Sequence, residues 1–352
     1  MTEVNGLEKP RYKNWIPAKL VASVLLGALA LLLCAFSGCS EPAETAAEPT
    51  PSPSPAAASA SPAAKTISAP QPRSFTVDRA LLPADAEDYL GDARGDYDAL
   101  LNAVCAGETE VALQDADRAE RAAEVFSASP YAALAVLEIG DDGAVTITPA
   151  GTGSAEAFDS AAKELVESAV YTESNELETA AALYRAVSSG CTYAESEENS
   201  LYRMIVEKEG GCAEFAAALS YLFNQNGIPA QVASGTAGDS EHFWVIAELG
   251  GKAYHFDPTF ENSATGGLGL SYFGMSDAAR TYTGCALPCT VGRGGYAESL
   301  DAPCPDTRFD EFFTDVTSWD CDVQTHFLYL AYGFEEDYLN SVQTDTLLDG
   351  AE

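Results

Sequence analysis

One stretch of the sequence, Gly210 to Phe260, restricts the fold more than any other. It opens on Gly210-Gly211-Cys212 and passes at once into Ala213-Glu214-Phe215-Ala216-Ala217-Ala218-Leu219-Ser220-Tyr221-Leu222-Phe223. Ala and Leu dominate that run, and Gly227 followed by Pro229 supplies a stop signal. A buried helix is therefore expected, with Cys212 at its first turn. The two glycines let the chain turn sharply and keep the space above the sulfur open. Ile228 to Thr236 reads as a strand, followed by a polar loop at Gly238-Asp239-Ser240. His242 to Leu249 reads as a second strand, Gly250-Gly251 as a hairpin turn, and Ala253 to Phe256 as a third strand. That strand ends at Asp257-Pro258. A thiol, an imidazole and a carboxylate thus stand at a helix start, a strand start and a strand end. They are the parts of a nucleophile, its base and the group that orients the base.

Energetics explain why all three are wanted. A free cysteine titrates at about 8.5, and only its thiolate is strongly nucleophilic. A helix N-terminus contributes roughly 0.3–2 kcal/mol, against about 1.36 kcal/mol for each pH unit. The dipole by itself leaves such a thiol mostly protonated near neutrality, so an imidazolium must supply the rest. His242 is placed to do so, with Asp257 holding the other ring nitrogen. His255 lies two residues before Asp257 on the same strand face, and His326 has no recognisable context. Both are expected to be structural.

The motifs Gly211-Cys212-Ala213-Glu214-Phe215-Ala216, His242-Phe243-Trp244 and Asp257-Pro258-Thr259-Phe260 resemble the transglutaminase-like superfamily. The resemblance extends upstream to Leu183-Tyr184, Thr192-Tyr193 and Ser200-Leu201-Tyr202, and downstream to Tyr272-Phe273 and Ser276-Asp277. It implies an α+β fold with a papain-like Cys-His-Asp core, in which the nucleophile helix packs on an antiparallel sheet. The catalytic set carried over is Cys212, His242 and Asp257. No upstream residue stands out as the side-chain half of an oxyanion hole.

The chain before this core has three parts. Lys9, Arg11, Lys13 and Lys19 precede an uncharged apolar run from Leu20 to Phe36, slightly shorter than the roughly 20 residues of a spanning helix. The run ends in Ser37-Gly38-Cys39, the pattern of a lipoprotein signal, so residues 1–38 are expected to be cleaved and Cys39 to carry lipid. Residues 39–73 form a polar linker rich in Pro, Ala and Ser. Its alternating Pro49, Pro51, Pro53 and Pro55 keep it extended, as a stalk on the outer face of the cell membrane. Residues 74–155 are read as an accessory α/β lobe. Helices are expected at Asp96 to Ala103 and Ala116 to Phe126, with a hairpin of Ala132 to Ile139 and Val145 to Thr148 around Asp141-Asp142-Gly143. Residues 156–352 hold the core, with further helices at Glu156 to Val170 and Glu176 to Val187 and a Cys- and aromatic-rich extension from Gly284. In that extension Tyr329, Tyr332, Phe334 and Tyr338 are expected to pack on the core.

Charge narrows the partners. Acidic residues number 54 against 18 basic, a formal charge of −36. That balance excludes a nucleic-acid partner, which would need basic patches. No calcium loop or phosphate-binding glycine loop occurs, so neither a cofactor nor a metal is expected. Six cysteines remain once Cys34, Cys39 and Cys212 are set aside: Cys105, Cys191, Cys285, Cys289, Cys304 and Cys321. In an exported protein an even set suggests disulfides. A zinc cluster of Cys285, Cys289, Cys304 and Cys321 competes with that reading, but its spacing is irregular. Two functions stay open. One is a thiol enzyme acting on amide bonds of protein or peptidoglycan peptides, by hydrolysis or acyl transfer. The other is a non-catalytic adhesion or scaffold module that retains the fold.

Overall fold

The Ala- and Leu-rich run after Gly211 folds as the helix Cys212–Gln225 in the computed structural model, which describes residues 68–151, 153–333 and 340–349. Gly227, with φ +79°, ends it. These residues lie in the compact unit Thr66–Glu352. The apolar run, Cys39 and the Pro-rich segment as far as residue 67 lie outside the described residues, as do Phe334 and Tyr338.

The helix lies against a five-stranded antiparallel sheet. Its order is Glu298–Leu300, Cys289–Val291, Ala230–Ala237, Ser240–Leu249, Lys252–Phe256. Gly250 and Gly251 both have positive φ, 56° and 70°, as a tight two-residue hairpin turn requires. Alternation along the strands sends Val245, Ala247, Leu249, Tyr254 and Phe256 into one core with Phe215, Leu219, Leu222 and Phe223 of the helix. The opposite face buries Trp244, Ile246 and Ala233 in a smaller core with Cys289, Val291 and Cys304. The fold is α+β.

Before the core come the helices Arg94–Ala106 and Ala116–Phe126, then Ala135–Ile139 paired antiparallel with Ala144–Pro149. Pro130 turns the first residues of the expected strand into a 3₁₀ segment, Pro130–Leu134. The short strand Glu110–Ala112 joins this hairpin from the other side, which the sequence did not announce. Helices Ala155–Ala169, Glu176–Ser188 and Leu201–Val206 lead into the nucleophile helix. Asn175 and Glu178 close a reciprocal cap on the second of these, each accepting the other's backbone N–H at 3.0 Å. Glu178 also accepts from Thr344 at 2.9 Å and meets His326 Nδ1 at 3.1 Å. Through it the C-terminal sheet of Val316–Asp322, Phe327–Tyr332 and Asn340–Gln343 is tied to that helix. Tyr332 packs on the core and donates to the Phe312 carbonyl at 2.8 Å, whereas Tyr329 stands on the exposed side.

The expected disulfides are absent: all seven cysteines among the described residues are free. Three of the six proposed partners lie in separate parts of the fold. Cys105 lies on the helix Arg94–Ala106, Cys191 beside the Met204 carbonyl and Cys321 on the C-terminal sheet. Cys289 and Cys304 share the smaller core as thiols, and burial pushes both above the ordinary range of the group.

Candidate active site

Cys212 occupies the first position of its helix, half-buried, with Gly211 before it at the N-cap. Glu214 turns back so that its carboxylate accepts the Gly211 N–H at 2.9 Å, which fixes the entry of the chain into the helix. The first-turn N–H groups of a helix have no partner inside it, so the backbone presents donors beside the sulfur.

His242 enters from the strand Ser240–Leu249 and is buried. Its Nε2 lies 2.6 Å from Asp257 Oδ2. Nδ1 is thereby left for the Cys212 thiol, the second side chain that favours the charged ring. Phe260 stacks on the imidazole with centroids 4.4 Å apart, and Trp244 stacks at 6.2 Å. The contact with Asp257 is diagonal rather than directly across the hairpin. The last paired residues are Val245 and Phe256, so Asp257 lies level with Trp244, and His242 is two residues further on. Diagonal neighbours on one face remain within reach of long side chains.

Asp257 is fully buried and serves three donors. Its Oδ1 accepts the Phe260 N–H at 2.9 Å and so caps the helix Pro258–Thr265. Its Oδ2 accepts both His242 and Arg280 Nη1, the latter at 2.7 Å. Arg280 is itself fully buried. Its guanidinium lies 4.2 Å from the Trp244 ring centroid and 5.5 Å from that of Phe260. Sequence reading missed this residue. It sits on the six-residue helix Asp277–Tyr282, which has no periodicity to reveal a buried side. The helix is delivered by the pairing of Met275 with His255 and by the Asp257 N–H donating to the Tyr272 carbonyl.

Titration follows from these contacts. Burial disfavours the His242 cation. Hydrogen bonds to Asp257 and Cys212, with the Asp257 charge, outweigh it and raise the ring from 6.5 to about 9. Burial likewise opposes the Asp257 carboxylate, but Arg280 and His242 hold it below the usual range. Behind it Glu261, bonded by Tyr184, Thr265 and the Tyr272 N–H, is lifted by burial to about 7. A histidine that titrates higher folded than unfolded stabilises the fold below its unfolded value and stops doing so above its folded one. His242 is expected to contribute about 3 kcal/mol, fully present below pH 6.5 and lost as pH rises through about 9. Denaturant unfolding at pH 6 and pH 10, in the protein and in His242→Gln, reads that difference. An equal slope in both would refute it.

A second set of polar groups lies beside the first, on the Trp244 face of the sheet. Ligand atoms of His255, Asp277 and Cys304 all lie within 4.8 Å of one another. Trp244 Nε1–H donates to His255 Nδ1 at 3.0 Å, which puts the proton of the neutral ring on Nε2. That nitrogen faces Asp277 Oδ1 at 3.1 Å as a donor, so it has no lone pair free for a metal. Burial keeps the ring neutral, down to about 4. Asp277 also accepts the Cys304 N–H on both oxygens at 3.1 Å. The set is a hydrogen-bonded support under Trp244.

Residues 163–258 match the family model of the transglutaminase-like superfamily. That segment is a transglutaminase-like domain. It contains Cys212, His242 and Asp257 and stops short of Arg280. No curated protein matches the chain. Among solved structures, it is similar to a candidate cysteine protease from Cytophaga hutchinsonii at 18% identity. That overlap covers 33% of this chain and 50% of the other, with a TM-score of 0.25. A TGase matches at 17% identity over 36% and 43%, TM-score 0.27. A candidate protease from Parabacteroides distasonis matches at 18% over 34% and 35%, TM-score 0.21. This chain therefore spans half or less of the length of those proteins.

Proposed function

We propose that the protein is an exported, lipid-anchored thiol enzyme that acts on amide bonds with Cys212 as nucleophile, His242 as acid and base, and Asp257 as orienter. One observation carries the reading: a buried histidine held 2.6 Å from a buried carboxylate and hydrogen-bonded to the thiol at a helix start. In the first step the Cys212 thiolate adds to the amide carbonyl. The oxyanion formed faces the free N–H groups at the helix start. The imidazolium gives its proton to the departing amine as the C–N bond breaks, leaving a thioacyl enzyme. Water or a primary amine then attacks the thioester, His242 takes the proton, and the thiol leaves.

Hydrolysis is the favoured outcome, on protein or peptidoglycan peptides. Incubation with a peptide library, with and without lysine-bearing acceptors, separates the two by product mass. Two fragments whose masses add to that of the substrate plus one water mark hydrolysis, and a joined peptide marks transfer. Cys212→Ala should be silent in both, and turnover by that variant would exclude the mechanism.

The anchor is part of the proposal because Ser37-Gly38-Cys39 ends an apolar run and a Pro-rich stalk follows. Mass spectrometry of the mature N-terminus is expected to find an acylated Cys39. A chain that keeps residues 1–38 would rule this out.

A further inference from the structure

Glu261 stands one turn along its helix from Asp257, fully buried, and donates its N–H to the Asp257 carbonyl at 3.1 Å. Three donors meet its carboxyl group. Oε2 accepts the Tyr272 N–H at 2.9 Å and the Tyr184 hydroxyl at 3.3 Å, and Oε1 accepts the Thr265 hydroxyl at 2.7 Å. An ionised carboxylate only accepts, so all three contacts suit the anion.

The Tyr272 bond leads into the catalytic groups. Tyr272 takes the Asp257 N–H on its carbonyl at 2.9 Å and sets its ring edge-on to Phe260, with centroids 5.5 Å apart. Phe260 in turn stacks on His242 at 4.4 Å. A proton added to Glu261 goes to Oε2. Beside Oε1, the Thr265 oxygen already takes the Leu268 and Gly269 N–H groups at 3.1 and 3.0 Å, which uses both its lone pairs. Beside Oε2, the Tyr184 oxygen can accept the proton, while its own O–H turns to the Asp257 carbonyl at 3.0 Å. Oε2 then becomes a neutral hydroxyl and loses the charge that strengthens its bond to the Tyr272 N–H.

We propose that Glu261 is a positioning residue: its ionised carboxylate holds Tyr272, and through it Asp257 and Phe260, in place around His242. The proposal rests on His242 and Asp257 serving Cys212 as acid and orienter. Burial, joined by the Asp257 charge, lifts Glu261 to about 7, so the hold strengthens as pH rises through neutrality. The titratable groups around it change outside that window. Against burial, Arg280 and His242 keep Asp257 below its usual range. Burial pushes Tyr184 well above its own, and His242 titrates at about 9.

NMR tests this, and with three histidines in the chain the imidazole resonances are few. The Tyr272 amide and the His242 Cε1–H are followed from pH 5.5 to pH 8.5. Both should show a step near 7, ahead of the histidine's own titration. Glu261→Gln should abolish the step at both positions, and Glu261→Asp, which keeps a titrating carboxyl, should retain it at a shifted midpoint. No step at Tyr272 in the unaltered protein, or a His242 step near 7 that survives Glu261→Gln, would overturn the proposal. The second arm is turnover of the peptide cleaved fastest in the library. Its kcat should fall roughly tenfold below neutrality, as loss of one charge-assisted hydrogen bond allows, with KM unchanged. Glu261→Gln should show the lower kcat throughout, and a kcat indifferent to the step would also count against the role. Turnover without the NMR steps strikes Glu261 alone. Steps without any turnover strike the amide-cleaving reading and uphold the hold on Asp257.

Discussion

Replacing Arg280 by methionine is expected to lower stability by about 3–5 kcal/mol, because removing one partner of a buried ion pair leaves the other charge uncompensated. The residue and Asp257 are both fully buried, and their atoms lie 2.7 Å apart. Methionine fills much of the same volume, so the loss reports charge more than packing. His242 supplies a second cation to the same oxygen, and only while it is protonated. The cost should therefore grow as pH rises through the histidine's titration near 9. Arg280→Lys keeps the charge but loses the flat face that lies on Trp244 and Phe260, so it should cost less. Urea unfolding of the three proteins at pH 6.5 and pH 9.5 measures this. A loss under 1 kcal/mol for methionine, without dependence on pH, would show that Asp257 does not need the arginine.

What the sequence revealed, and what it hid, divides along local and non-local lines. The helix at Cys212, the strand at His242 and the turn at Gly250-Gly251 each follow from a few adjacent residues. All three appear within one or two positions of where composition puts them. Asp257 is legible as the end of a strand, but its diagonal placement depends on where pairing stops, at Val245 and Phe256. Arg280 was not legible. Its helix is six residues long, and it reaches the site only because residues 272–275 return alongside His255 and Asp257. The cysteines were misjudged for a related reason. An even count suggests pairs, but Cys105, Cys191 and Cys321 lie on separate elements, and that placement was not readable from spacing. Trp244 and His255 show the same limit, since two aromatic positions on neighbouring strands gave no hint that the indole N–H fixes the imidazole tautomer.

His242→Ala is expected to slow reaction at Cys212 by about 10²–10⁴-fold, the span typical of a positioned acid or base. Alanine removes both the proton held beside the sulfur and the donor for the leaving amine. The pH dependence is the sharper test, because the two charges behind the ring act in opposite directions. Asp257 raises His242 and Arg280 lowers it, and together with burial and Cys212 they leave it at about 9. Above that pH the ring loses the proton that the leaving amine needs, so amide turnover should fall on the alkaline side near pH 9. Asp257→Asn removes the raising charge and should draw that limb down toward 6.5, with a loss of rate from poorer ring orientation. Arg280→Met removes the lowering charge and should move the limb up. A role for these residues in packing alone would change amplitude without moving the limb in opposite senses. If turnover falls near pH 9 in the protein and in both variants alike, another group sets the limb, and His242 is not the acid.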